Sequence, residues 1–159
     1  MTTSRIARVV SGGQTGADRA ALDAAVAAGL EYGGWCPAGG WAEDHPEPPG
    51  LLTDYPSLRE APSADPAVRT HLNVRDSHAT LVVRSAATSS PGTDLTTQTA
   101  VRLGRPVLVT AGDVAQVLDW LDGLALELTL NVAGPRESER PGSYAVAITL
   151  LAQVLPGRG

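Results

Sequence analysis

The chain has 159 residues, 43% of them apolar, a net charge of -5 and a pI of about 5.1. That is enough for one core and one domain over 1–159, while the acidity excludes the broad cationic face that nucleic acid or an anionic membrane requires. The lone cysteine, Cys36, excludes a disulfide scaffold and a multi-cysteine metal site, and the 12 basic residues are all arginine, which excludes P-loop, Schiff-base and pyridoxal lysines.

In chain order, residues 6–10 predict a short apolar strand, and 16–28 an alanine-rich helix closed by Gly29. Thr15 followed three positions later by Asp18 has the form of a capping box. Residues 32–36 predict a weaker second strand. The stretch 37–66, rich in proline, glycine and acids, reads as a long ordered loop, a length that usually signals function. Asp65-Pro66 starts a helix over 66–76. A strand over 79–84, a loop over 85–92, a helix over 93–103 with Gly104 behind it, and a strand over 106–110 follow. Asp113 and Gln116 open the next helix as a second capping box. Residues 126–132 form the last strand, 133–141 a loop and 141–155 a closing amphipathic helix. Strands alternating with helices imply an α/β fold with a mostly parallel sheet covered on both faces. No apolar run approaches the ~20 residues that span a bilayer, and no basic-then-apolar leader opens the chain. The expectation is a cytoplasmic protein with no nucleic-acid or membrane partner.

Ligands of open parallel sheets bind beyond the carboxyl ends of the strands, and four unusual loops fall on that edge. Ser11-Gly12-Gly13-Gln14-Thr15-Gly16 follows the first strand. Its glycines permit a sharp turn and close backbone approach, and the helix behind it offers unpaired N–H groups and a positive dipole end, a site for phosphate or another oxyanion. The spacing matches neither the dinucleotide fingerprint nor the P-loop, and a glycine turn that merely packs strand against helix is the plainer alternative. Pro91-Gly92-Thr93 repeats the same physics at a second helix start, with hydroxyls from Ser89, Ser90, Thr93 and Thr96 beside it. Arg136, after the last strand, can grip phosphate bidentately. The remaining loop, after the second strand, holds Cys36, more often a core residue than a nucleophile. No Ser/His/Asp triad forms, and His45, His71 and His78 lack metal-ligand spacing. Any hydrolytic role rests on Glu43, Asp44, Asp18 or Glu137 with a bound water.

The segments S-G-G-Q-T-G-A-D-R-A-A-L-D (11–23), G-G-W-C-P (33–37), A-E-D (42–44), R-x-x-x-N-V-R-D-S (69–77), S-P-G-T-x-L-T (90–96) and N-V-A-G-P-R-E-S (131–138) together resemble the molybdenum carrier family. That family is a circularly permuted, YpsA-type branch of the Rossmann-like superfamily of LOG proteins and DprA. The resemblance covers nearly the whole chain. It implies a three-layer α/β/α Rossmann-like fold, a homo-oligomer (dimer or tetramer), and a crevice for a small phosphorylated ligand, either molybdenum cofactor (molybdopterin) or a nucleotide. It places Gly12, Gly13, Gln14, Thr15 and Gly16 in the first ligand loop, and Gly92 and Thr93, with Ser90 beside them, in the second. The family's basic residue before A-E-D is replaced by Gly40-Trp41, and Trp41 offers a face for stacking on a pterin or purine. The leading expectation is a non-catalytic molybdenum cofactor carrier, with no metal held by protein ligands. The alternatives are a sensor of a nucleotide-derived ligand and a nucleotide hydrolase or N-glycosidase using Glu43, Asp44 or Glu137.

Overall fold

The structure, a computed structural model, describes residues 6–85, 90–124 and 127–156. Five strands, β1 (Ile6–Val10), β2 (Glu31–Gly33), β5 (Ala79–Val83), β6 (Val107–Thr110) and β7 (Leu128–Ala133), form one sheet in the order β2-β1-β7-β5-β6. Every pairing in it is parallel. The two remaining short strands, β3 (Trp35–Cys36) and β4 (Arg59–Glu60), pair in parallel apart from it.

Helices α1 (Ala17–Ala28), α5 (Val114–Asp122) and α6 (Ser143–Val154) share an apolar core with the alternate positions Ala79, Leu81 and Val83 of β5 and Leu128, Leu130 and Val132 of β7. The intervening Thr80, Val82 and Asn131 point to the other face, as the two-residue period requires. There α3 (Pro66–Arg75) packs against α4 (Pro91–Arg102), and α4 against β5 and β6. That second layer is built from small polar groups: Thr70, Asn73, Thr93, Thr96 and Thr99 are all buried. A smaller apolar cluster of Leu22, Cys36, Ala42, Leu51 and Leu58 anchors the region after β2. No helix among the described residues is long and apolar enough to cross a membrane.

Several expected features differ. The strand over 32–36 is cut at Gly34, whose φ of +122 turns the chain; a Cβ there would lie 2.4 Å from the Ser11 carbonyl oxygen. Residues before the cut join β1, and those after it join β4. The loop over 37–66 contains a 3-10 turn at Ala38–Gly40, the four-residue α2 (Leu51–Asp54) and β4, each too short to show a period. The Thr15/Asp18 box does not form: α1 starts at Ala17 behind Gly16 with no side-chain cap, Thr15 bonds Glu43 and Asp18 pairs with Arg69. The caps at Asp65 and Asp113 do form, accepting from the backbone N–H groups of Ala67 and Gln116. The last strand starts at Leu128; Leu126, where the sequence places its start, and Ser89, an expected ligand hydroxyl, lie outside the described residues.

Candidate functional site

From β1 the chain crosses through α1 outward to β2, and from β5 through α4 outward to β6, in opposite directions. Right-handed crossovers put α1 and α4 on opposite faces, so the sheet has a topological switch point at β1, β7 and β5. A cleft of about 290 Å³ opens there. Gln14 and Asp18 reach it from the β1–α1 segment, Ala133 and Gly134 from the end of β7, and Ser90, Gly92 and Thr93 from the start of α4. Arg69 and Pro66 of α3 form one wall, with Trp41, Arg136 and Glu139 at other points of the lining. A broader depression of about 520 Å³ runs beside edge strand β6, lined by Arg84, Asp94 and Val109 among others, and none of the expected ligand residues borders it.

The glycines of the first loop stand against protein. A Cβ on Gly12 would fall 2.2 Å from the Arg69 guanidinium. On Gly13 (φ +77) it would fall 2.9 Å from the Leu51 side chain, and on Gly16 (φ +81) 2.2 Å from the Pro135 carbonyl oxygen. Backbone angle and packing therefore account for Gly13 and Gly16, while Gly12 leaves room that the end of the Arg69 side chain fills. Gln14 is the member of this loop whose side chain enters the cleft: its Nε2 donates to the Trp41 carbonyl at 2.8 Å, which leaves the buried Oε1 with no partner. The second loop differs. Gly92 has an ordinary φ, and a Cβ on it would meet nothing within 4 Å. Beside it the hydroxyls of Ser90 and Thr93 bond each other at 2.7 Å.

The charged groups of the cleft are unequal in burial. Asp18 is 2% exposed, and burial pushes its carboxyl up to about 6 against the pull of Arg69, whose Nη1 lies 3.4 Å away. Arg69 Nε is buried without a partner. Arg136 is loosely held, its guanidinium 3.6 Å from Glu43 and 3.5 Å from Glu139, while its backbone N–H donates to Glu139 at 3.0 Å.

Of the four acids expected as general acid or base, Asp18 lines the cleft, and Glu43, Asp44 and Glu137 do not. Glu43 accepts from the Thr15 hydroxyl, from the Ser138 hydroxyl at 2.6 Å and from the Ser138 backbone N–H at 3.4 Å. Burial would raise its pKa, but the Ser138 and Thr15 hydrogen bonds, with Arg136 nearby, carry it below the usual value. Asp44 forms a two-pronged pair with Arg19 at 2.8 Å, which holds its carboxyl far below the usual range. Glu137 accepts from the backbone N–H groups of Gly142 and Tyr144 and so caps α6. His45 sits between Asp44 and Asp54, each 3.0 Å away, and these bonds raise its pKa. The 41–45 segment is thus latched to the 136–138 loop and to α1. Glu43→Ala should lower the unfolding free energy by about 1–3 kcal/mol, because it removes the charge-assisted hydrogen bonds that Thr15 and Ser138 donate to it. Urea unfolding checks this, and an unchanged midpoint would rule out the latch.

Arg69 and Glu139 are site residues that sequence reasoning missed. Arg69 stands four residues before Asn73, on the same helix face, and Asn73 is pinned to both the N–H and the carbonyl of Trp35 at 2.8 and 2.9 Å. That spacing, present in R-x-x-x-N, was the signal available.

Compared with known proteins, residues 9–155 match the family model described as the circularly permutated YpsA SLOG family. A crystal structure of a "Putative molybdenum carrier protein" from Syntrophus aciditrophicus SB is similar at 35% identity, covering 97% of this chain and 98% of that one, with a TM-score of 0.86. No curated protein matches the sequence.

Proposed function

The chain belongs to the circularly permuted YpsA SLOG family, and from that premise we propose that it is a carrier or binding protein, not a catalyst, which holds a small phosphorylated ligand in the cleft at the switch point. The ligand is molybdenum cofactor, as the name of the Syntrophus relative suggests, or a nucleotide. The observation that carries this reading is the space in front of Gly92. Neither its backbone angle nor a neighbouring atom requires glycine, so the missing side chain leaves room at the α4 N-terminus.

The unpaired N–H groups of that terminus favour an anion, and the Ser90 and Thr93 hydroxyls and Arg136 stand beside it. Phosphate fits there. Trp41, 38% exposed at the rim, suits the ring of a pterin or purine. A volume of about 290 Å³ lies near the lower end of the roughly 300–1,000 Å³ of small-molecule sites, room for one ring system and one phosphate. Among the described residues no group of three His, Cys, Asp or Glu side chains could hold a metal ion. The donor set therefore fits the organic part of such a cofactor, and Arg136, Ser90, Thr93 and Gln14 would hold that part; the metal would supply its chemistry to an acceptor protein.

A carboxyl pushed up to about 6 inside a cleft favours a second reading, a hydrolase in which Asp18 moves the proton. Native mass spectrometry with elemental analysis of gently purified protein separates the two. The carrier reading expects a stoichiometric pterin or nucleotide on an intact dimer or tetramer, without turnover. Release of free base or phosphate from added nucleotide, lost in Asp18→Asn, would replace it with the hydrolase.

A further inference from the structure

Resting on the reading that the cleft holds a phosphorylated heterocycle, we propose that its floor selects a 2-amino-4-oxopyrimidine edge, the one shared by guanine and pterins, over the edge of adenine. The bond from Gln14 Nε2 to the Trp41 carbonyl fixes the orientation of the amide, since a flipped amide would set oxygen against oxygen. Gln14 Oε1 is thereby an acceptor with no donor, on a side chain 3% exposed that lines the cleft. Such an atom stays desolvated at a cost until a donor arrives.

Asp18 lies on the same lining; Arg69 Nη1 donates to its carboxylate at 3.4 Å, and the nearby backbone N–H groups of Gln14 and Gly134 favour its charged form. A carboxylate has about four lone-pair sites, so acceptor capacity is left. Arg69 Nε is a buried donor with no acceptor. The lining therefore offers one unpaired donor, Arg69 Nε on the α3 wall, and two acceptors, Gln14 Oε1 and the Asp18 carboxylate.

The 2-amino-4-oxo edge presents the complement: a carbonyl oxygen, a ring N–H and an amino group. Adenine presents one ring nitrogen and one amino group, which leaves an acceptor of the floor buried and unpaired. Sites that hydrogen-bond a ligand group discriminate strongly against analogues lacking it.

The test is calorimetric titration of the full chain at pH 7.5 with GMP, IMP, AMP, a pterin monophosphate and pyrophosphate. GMP or the pterin should bind at least about tenfold more tightly than AMP, and more tightly than IMP, which lacks the 2-amino group and so also leaves one acceptor unpaired. Whichever of GMP and the pterin is tighter identifies the source of the edge. Gln14→Met should erase most of that preference while pyrophosphate affinity stays within about twofold. Equal binding of GMP and AMP alongside good pyrophosphate binding overturns the selective floor and leaves the phosphate reading standing. Failure of every probe, pyrophosphate included, overturns the cleft reading itself. The GMP, IMP and AMP series on the unmodified chain decides the matter even if Gln14→Met does not fold.

Discussion

Gly92→Asp is expected to abolish anion binding, by at least about 100-fold, and to leave the protein as stable as before or slightly more so. The position has an ordinary φ and open space where the side chain would go, so neither strain nor a clash arises. Gly92 is the second residue of α4, behind Pro91, where an acidic side chain interacts favourably with the helix dipole by about 0.3–1 kcal/mol. The same carboxylate would stand in front of the N–H groups offered to phosphate, excluding the ligand by volume and by like charge. Titration with pyrophosphate and thermal unfolding of the same sample check the two halves. Retained binding would move the phosphate away from α4. Destabilisation would mean that Gly92 is structural after all. No other glycine bordering the site gives so clean a test: a Cβ on Gly134 would lie 2.4 Å from the Val83 carbonyl oxygen, so a variant there confounds folding with binding.

That contrast between glycines marks the limit of what the sequence could disclose. The alternation of strands and helices was legible because apolar residues recur with the period of each element, and because Gly29, Asp65 and Asp113 punctuate the helices locally. Glycine's reasons are not local. Gly12 is small for Arg69, 57 positions away, and Gly16 for Pro135, whereas Gly92 is small for nothing in the protein. On the page of the sequence the three look alike, and the richer loop drew the attention. The acids show the same thing. Glu43 reads as a candidate base until Thr15 and Ser138 are seen to occupy it, from 28 and 95 residues away. Glu137 sits beside Arg136 in sequence, yet it turns to cap α6. Asp18, which resembled a capping residue, is instead drawn toward Arg69. Residue types predicted loops that border the cleft; long-range partners decided which side chains in them face it.

Asp18 supplies the second large effect, and its sign follows from burial. An ordinary aspartate titrates near 3.8, but in the folded protein desolvation, only partly offset by Arg69, lifts the group to about 6. The native state therefore binds the proton more tightly than the unfolded chain. Its contribution to stability is fully present below pH 3.8 and is lost as pH rises from there through about 6. The gap of about two pKa units corresponds to about 3 kcal/mol. Other carboxylates titrate over the same range, so the informative quantity is the difference between the native chain and Asp18→Asn, whose side chain cannot ionise. Urea unfolding from pH 4 to 7 should show the native chain losing about 2.4 kcal/mol of this relative to the variant. A constant difference would mean that Arg69 already compensates the buried charge. Binding must follow the same titration. Below pH 6 the neutral carboxyl repels an anion less, so sulfate, which does not titrate in this range, should bind more tightly to the native chain and with unchanged affinity to Asp18→Asn. The protonated group also gives up one acceptor of the cleft floor, so the preference for GMP over AMP should narrow over the same interval. Opposite trends for sulfate affinity and base preference, centred on one pH, would tie both to Asp18, because a general change in folding would move them together.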